Sequence, residues 1–159
     1  QWTDDCSMGL CIADSLLTRD GYDGSDVRVR FWNWWHRGYC NAFGSDLYFG
    51  PRSSVGLGGN MSKSLSTMAA SERPTPRFES VGEDSGNGSL MRLAPIPIFF
   101  AHRGQAACRD AARESSLSTH PGVIAAEACA LLGFLTAHAI RGDTLPLTDP
   151  RGCSGGWRR

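Results

Sequence analysis

The longest apolar run, Val123 to Ile140, constrains the fold more than any other stretch of this sequence. A helix of that length would come close to crossing the hydrocarbon core of a bilayer. Yet the run carries Glu127, Gly133 and His138, and a charged group within such a span is costly in lipid. The expectation is a helix buried in protein rather than a membrane span. With 159 residues, 41% hydrophobic and 20% charged, the chain suits one packed domain.

Other helical signals surround that run. Residues 3 to 18 begin with Thr3 as a cap and Asp4 and Asp5 in the first turn, then place Met8, Cys11, Ile12, Ser15 and Leu16 on one face. Gly21 and Gly24 are read as its end. Val27 to His36 alternates at first, but Val27, Phe31, Trp34 and Trp35 also share a helical face, and no neighbouring strand is evident. Helix is the reading taken, with the aromatic group Phe31, Trp32, Trp34, Trp35 and Tyr39 packing the core. Residues 44 to 60 read as a Gly, Ser and Pro connection, 62 to 71 as a short helix stopped by Pro74 and Pro76, and 79 to 89 as a polar loop. Pro95 and Pro97 limit any helix between 90 and 101, and 105 to 116 is a polar-faced helix. No repeat or hairpin signal is present. The fold class is all-α.

Charge and cysteines narrow the functional classes. Sixteen basic and sixteen acidic residues give a net charge of zero, which gives no reason to expect nucleic acid or an anionic membrane as partner. Lys63 is the single lysine, so the basic charge is otherwise arginine. The cysteines at 6, 11, 40, 108, 129 and 153 form no Cys-x-x-Cys pair, and no secretory leader opens the chain. Reduced, mostly buried thiols and an intracellular, cytoplasmic setting are expected. Nineteen glycines suggest long connections between helices.

Three segments carry groups with chemistry. Thr3-Asp4-Asp5 crowds two carboxylates and a hydroxyl, a set that suits a hard cation, although capping alone explains the same residues. Ser85-Gly86-Asn87-Gly88-Ser89 is a glycine turn whose backbone N–H groups suit a phosphate, or simply a turn into a helix. In Ser118-Thr119-His120-Pro121, Ser118 or Thr119 is a candidate cap for the long helix, with His120 at its start, facing either a ligand or a loop carbonyl.

Taken in order, Trp2-Thr3-Asp4-Asp5-Cys6-Ser7-Met8, Gly86-Asn87-Gly88-Ser89-Leu90-Met91-Arg92-Leu93-Ala94-Pro95 and Ser118-Thr119-His120-Pro121 resemble the ADP-ribosylglycohydrolase family. The likeness runs from residue 2 to about 142 and divides the chain into the central part of one such domain, 1–146, and an irregular tail, 147–159. It implies an orthogonal all-α helical domain, incomplete at both ends, with a cleft for two Mg²⁺ ions. Thr3, Asp4 and Asp5 would be metal ligands, with Asp4 and Asp5 also catalytic. Ser85, Gly86, Asn87, Gly88 and His120 would bind the substrate, ADP-ribose or an ADP-ribosylated protein. The reaction implied is hydrolysis of the glycosidic bond between ADP-ribose and a protein side chain.

Two features of that pattern are missing. No acidic residue precedes Thr3, and Gly142-Asp143-Thr144 lacks the second Asp of the family's late Asp-x-Asp-Thr segment. A catalytically inactive ADP-ribose binder and a structural relative are therefore the alternatives. A partial domain is also expected to leave apolar helix faces uncovered, among them the Met8 and Ile12 face and part of 123–140.

Overall fold

The computed structural model describes residues 2–42, 45–46, 50–51, 54, 56–68, 73–80, 82 and 84–143. Cys153, Thr144 and the tail 147–159 lie outside them. Among the described residues there are six α-helices: α1 (Asp4–Arg19), α2 (Gly24–Arg37), α3 (Gly59–Ser66), α4 (Pro95–Phe100), α5 (Gln105–Leu117) and α6 (Val123–Arg141). A single short antiparallel pairing, β1 (Ser45–Asp46) with β2 (Gly50–Pro51), lies within the connection after α2 and leaves the all-α class intact.

The helix signals translate into structure with shifted ends. α1 stops at Arg19, where Asp20 takes a left-handed conformation (φ 50°) and its N–H returns to the Leu16 carbonyl. Gly24 does not end α1 but opens α2, which Asp23 caps by accepting from the Asp26 N–H. The glycine is needed there because a Cβ would lie 2.6 Å from the Pro76 carbonyl oxygen. α3 begins earlier than the sequence suggests, at Gly59, and closes at Ser66. Its expected last residues, 69–71, are outside the described set. α6 is capped by Gly122, not by Ser118 or Thr119, whose hydroxyls are engaged elsewhere. The glycine-rich stretches give both long and short links, since α5 and α6 are separated only by residues 118–122.

α1 and α2 form an antiparallel pair tied by Arg19–Asp26 at 2.7 Å and by Arg30, which pairs with both Asp14 and Asp26. α5 and α6 are antiparallel too, because Arg113 pairs with Glu127 (2.6 Å) at one end while Gln105 meets His138 at the other. α4 bridges α1 to that second pair. Met8, Ile12, Leu16, Val27, Phe31, Trp34, Leu93, Ile96 and Cys129 meet in the core between them. The Met8 and Ile12 face expected to be uncovered is fully buried, since α2, α3 and α4 close over it. Of the aromatic group, Phe31 and Trp34 are buried as expected, Trp32 and Trp35 pack partly, and Tyr39 is exposed.

α6 departs most from a simple buried helix. It turns its small residues inward, Ala125, Ala126, Cys129, Ala130, Gly133 and Ala137, and leaves Val123, Ile124, Leu131, Leu132 and Ile140 facing outward. The close approach of α5 explains this: a Cβ at Gly133 would lie 2.9 Å from the Ala112 Cβ. By length and composition α6 passes as a membrane span, with mean hydropathy 1.8, and a third of that window is buried within the protein.

Candidate active site

Three loops converge on the start of α1. The glycine segment forms a 3₁₀ turn, Asn87–Ser89, that is anchored from beneath by buried hydroxyls. Ser116 Oγ donates to Ser89 Oγ at 2.9 Å, and the Cys129 thiol lies 3.4 Å from the same oxygen. The turn is thus pinned to both α5 and α6 while Gly86 and Asn87 stay exposed. Above it sits His120, whose ring lies 3.0 Å from where a Gly88 Cβ would be. Only a glycine lets that ring rest against the turn.

His120 is oriented by a chain of side chains reaching into the core. Arg92 is fully buried, and its Nη2 donates to Thr119 Oγ1 at 2.5 Å, to the Ser115 carbonyl at 3.2 Å and to Ser118 Oγ at 3.4 Å. Thr119 Oγ1 in turn lies 2.8 Å from His120 Nδ1. Guanidinium nitrogen only donates, so Thr119 accepts from Arg92 and directs its own hydrogen to Nδ1. Nδ1 is then the acceptor, and the ring hydrogen resides on Nε2, the atom beside Gly86 and Gly88. Burial first, and the Arg92 charge second, push the imidazole down to about 4, so it is neutral near pH 7.

The carboxylates face this arrangement unequally. Asp4 joins Gly58, Asn60, Gly86, Asn87, Gly88 and His120 around one cleft of about 350 Å³. Gly56, held at φ +90°, packs so tightly on the Asp4 carboxylate that no side chain fits there. Asp5 opens instead into a larger, apolar groove of about 550 Å³, with Trp2, Leu10, Met91 and Pro95. Thr3 does not cap α1 through its side chain; its hydroxyl donates to Asp5 Oδ1 at 2.7 Å, which lowers the Asp5 pKa. Ser85 is turned away from the cleft: its Oγ is buried without a partner, against Gly122. Five of the eight residues singled out in the sequence, Asp4, Gly86, Asn87, Gly88 and His120, therefore share one space, and Thr3, Asp5 and Ser85 line none of it.

Sequence reasoning missed Gly56, Asn60, Thr119 as a positioning group, and Arg92. A glycine fixed by positive φ or an arginine solvated by hydroxyls has no local sequence signature. Among the described residues, no three His, Cys, Asp or Glu side chains cluster as a metal site. Thr3, Asp4 and Asp5 offer the hard oxygen donors that Mg²⁺ takes, but by themselves they do not furnish shells for two ions. Asp143, the late acidic candidate, is occupied at the end of α6, 2.7 Å from Arg141 Nε and 3.1 Å from His138 Nδ1.

An all-α scaffold that sets an acidic helix start against a glycine turn and a histidine matches the motif order that the sequence displays. The chain belongs to the ADP-ribosylglycohydrolase family, whose model matches residues 1–152. Among curated proteins it is 28% identical over 142 residues to the ADP-ribosylarginine hydrolase Tri1 of Pseudomonas putida (strain GB-1), covering 89% of this chain and 36% of that protein. It is 27% identical over 144 residues to the ADP-ribosylhydrolase ARH3 of Danio rerio, covering 89% and 35%. An uncharacterized protein of Escherichia coli (strain K12), YegU, is 28% identical over 145 residues, covering 91% and 39%. The chain spans little more than a third of the length of these relatives.

Proposed function

We propose that this chain carries the ADP-ribose-binding cleft, and part of the Mg²⁺ site, of a hydrolase that releases ADP-ribose from a modified protein side chain. The observation behind this reading is the single cleft in which the Asp4 carboxylate lies opposite the Gly86–Gly88 turn and His120. The glycines let His120 and Asn60 lie against the turn, so that their polar atoms and the turn's exposed backbone could face a diphosphate together. Neutral His120 offers a hydrogen from Nε2 without adding a positive charge that would bind any anion unselectively. Asp4 is read as contributing an oxygen ligand to a metal site completed by residues elsewhere in a longer protein, and Thr3 and Asp5 would join it only by breaking their mutual hydrogen bond and turning from the neighbouring groove. Relatives named ADP-ribosylarginine hydrolase and ADP-ribosylhydrolase support the reaction class.

The second reading is ADP-ribose binding without turnover, favoured by the lack of a third acidic side chain at the site among the described residues. Calorimetric titration with ADP-ribose tests the cleft in both readings. Wild type should bind, and Gly88→Val should bind at least tenfold more weakly, since the branched side chain would drive into the His120 ring. Equal affinities in two folded proteins would move the ligand elsewhere. Release of ADP-ribose from modified protein by a longer version, lost in Asp4→Ala, separates hydrolysis from binding alone.

A further inference from the structure

The start of α3 borders the cleft; its other end borders a buried cation. Arg28 of α2 is 3% exposed, and no carboxylate among the described residues pairs with it. Its Nη1 donates to the Thr75 carbonyl at 2.8 Å, the Arg77 carbonyl at 2.9 Å and Thr75 Oγ1 at 3.1 Å. Its Nη2 donates to the Ser64 carbonyl and to Thr67 Oγ1, both at 3.3 Å. Every one of these acceptors is neutral, and the buried Nε has none. Burial lowers the guanidinium pKa, with only the influence of Tyr22 set against it.

The segment that supplies those carbonyls places two more guanidiniums beside Arg28. It is pinned to α5 by the Phe78 N–H, which donates to the Leu117 carbonyl at 2.9 Å. Arg28, Arg73 and Arg77 line a pocket of about 350 Å³ with Thr67, Met68 and Phe78, and Glu79 is the one carboxylate on the same wall. Arg73 Nη2 pairs with Asp23 Oδ2 at 2.7 Å, and Arg77 pairs with Glu114 through Nε at 2.8 Å and Nη2 at 2.6 Å. Both pairs lie at the surface, where the Arg73 and Arg77 side chains are 69% and 58% exposed, so neither holds its arginine strongly. Arg73 can also leave Asp23 without uncapping α2, because the cap runs through Asp23 Oδ1.

We propose that this pocket is a second ligand site, which takes inorganic phosphate or a phosphate monoester through Arg73 and Arg77, with Arg28 supplying charge from beneath. Two loosely held guanidiniums grouped over a third that lacks a counter-ion suit an anion with several acceptor oxygens. Phosphate fits better than carboxylate, because a monoester carries about −1.5 to −2 near pH 7 and three acceptor oxygens, and guanidinium forks match that geometry. Glu79 opposes the anion, and being exposed it can turn toward solvent. The site is independent of the ADP-ribose reading, since it shares no lining residue with the cleft. Bound phosphate would offset the buried Arg28 charge and tie the 73–77 segment to α2.

The test follows thermal unfolding of the whole 159-residue chain during titration with sodium phosphate or glycerol phosphate, with ionic strength held constant by sodium chloride. A saturable rise in unfolding temperature is expected with phosphate and none with chloride alone. The stronger response of the two phosphates tells the free ion from the ester. Arg73→Gln and Arg77→Gln should each raise the half-saturating concentration about five- to tenfold. Glu79→Gln should lower it, a change in the opposite direction that a damaged fold could not imitate. Arg28 is left in place, so its hold on the Thr75 and Arg77 carbonyls survives in all three variants. The response should persist in Gly88→Val, and its loss there would move the phosphate to the cleft and overturn the proposal. An equal rise in chloride, or half-saturation unchanged in both arginine variants, would overturn it as well.

Discussion

His120 shows how one residue's surroundings decide its chemistry. The ring is 3% exposed, receives the Thr119 hydroxyl at Nδ1 and lies near the Arg92 charge, so its protonated form is disfavoured in the folded chain. The stability consequence has a definite sign. Folding lowers the imidazole from its usual 6.5 to about 4, so between those values the unfolded chain binds more protons than the native one. Stability from this residue is complete above the unfolded value and is lost as pH falls toward 4, by about 3 kcal/mol at most. Urea unfolding of wild type and His120→Gln at pH 7 and pH 4.5 should show a smaller drop in the variant. Equal drops would place the acid sensitivity in other groups. The glycine turn and the histidine were legible as motifs because their order along the chain is distinctive. The roles of Thr119 and Arg92 were not, because a relay among side chains 27 residues apart leaves no spacing to read.

At the scale of elements, the apolar run of α6 was legible but its orientation was not. Counting apolar residues marks a helix to be buried, and the largest side chains are the natural candidates for the inside. Here shape decides otherwise. α5 approaches so closely at Ala112 and Cys108 that only Gly133 and neighbouring alanines fit, and the leucines turn outward. Gly133→Val should therefore cost about 2 to 3 kcal/mol through overpacking, measured by urea denaturation. Leu131→Gln on the outward face should change stability by less than about 0.5 kcal/mol. A tolerated Gly133→Val would mean that α5 and α6 separate easily. α2 illustrates the opposite case, since alternation and helical spacing competed in Val27–Phe31 and the Asp23 cap settled the contest locally. The early start of α3 was missed because Gly58 and Gly59 carry no capping side chain.

On the whole molecule, the core is closed between α1, α2 and α4 but open along α6, where Ile124 is 69% and Val123 66% exposed. Exposed apolar side chains repeated along one helix favour association. The 159-residue chain is expected to self-associate, with a mass above that of a monomer in sedimentation at micromolar concentration. Turnover of ADP-ribosylated protein with excess Mg²⁺ is expected to be negligible, because two close cations need more carboxylates than the described cleft provides. A monomer that releases ADP-ribose over many cycles would reverse both expectations. The family and its helical architecture were legible in three short motifs. The extent to which α6 stands uncovered was not, since no motif falls on its outer face.

Arg92 has a consequence for how the molecule opens. It sits without a carboxylate among the described residues, its two terminal nitrogens held by hydroxyls and a carbonyl from the α5 end and by the Met61 sulfur of α3 at 3.1 Å, with the Phe31 ring of α2 4.5 Å from its guanidinium carbon and its Nε left without a partner. Burial lowers it only to about 10, so it remains a cation in the interior. Each neighbour alone is a poor host for that charge. Withdrawal of any one leaves the buried charge with fewer partners, at a cost of about 1 to 3 kcal/mol. Small breathing motions of α2, α3 or the α5 end are therefore penalised together, and these three segments are expected to exchange their amide hydrogens at similar rates, as hydrogen-exchange mass spectrometry would read.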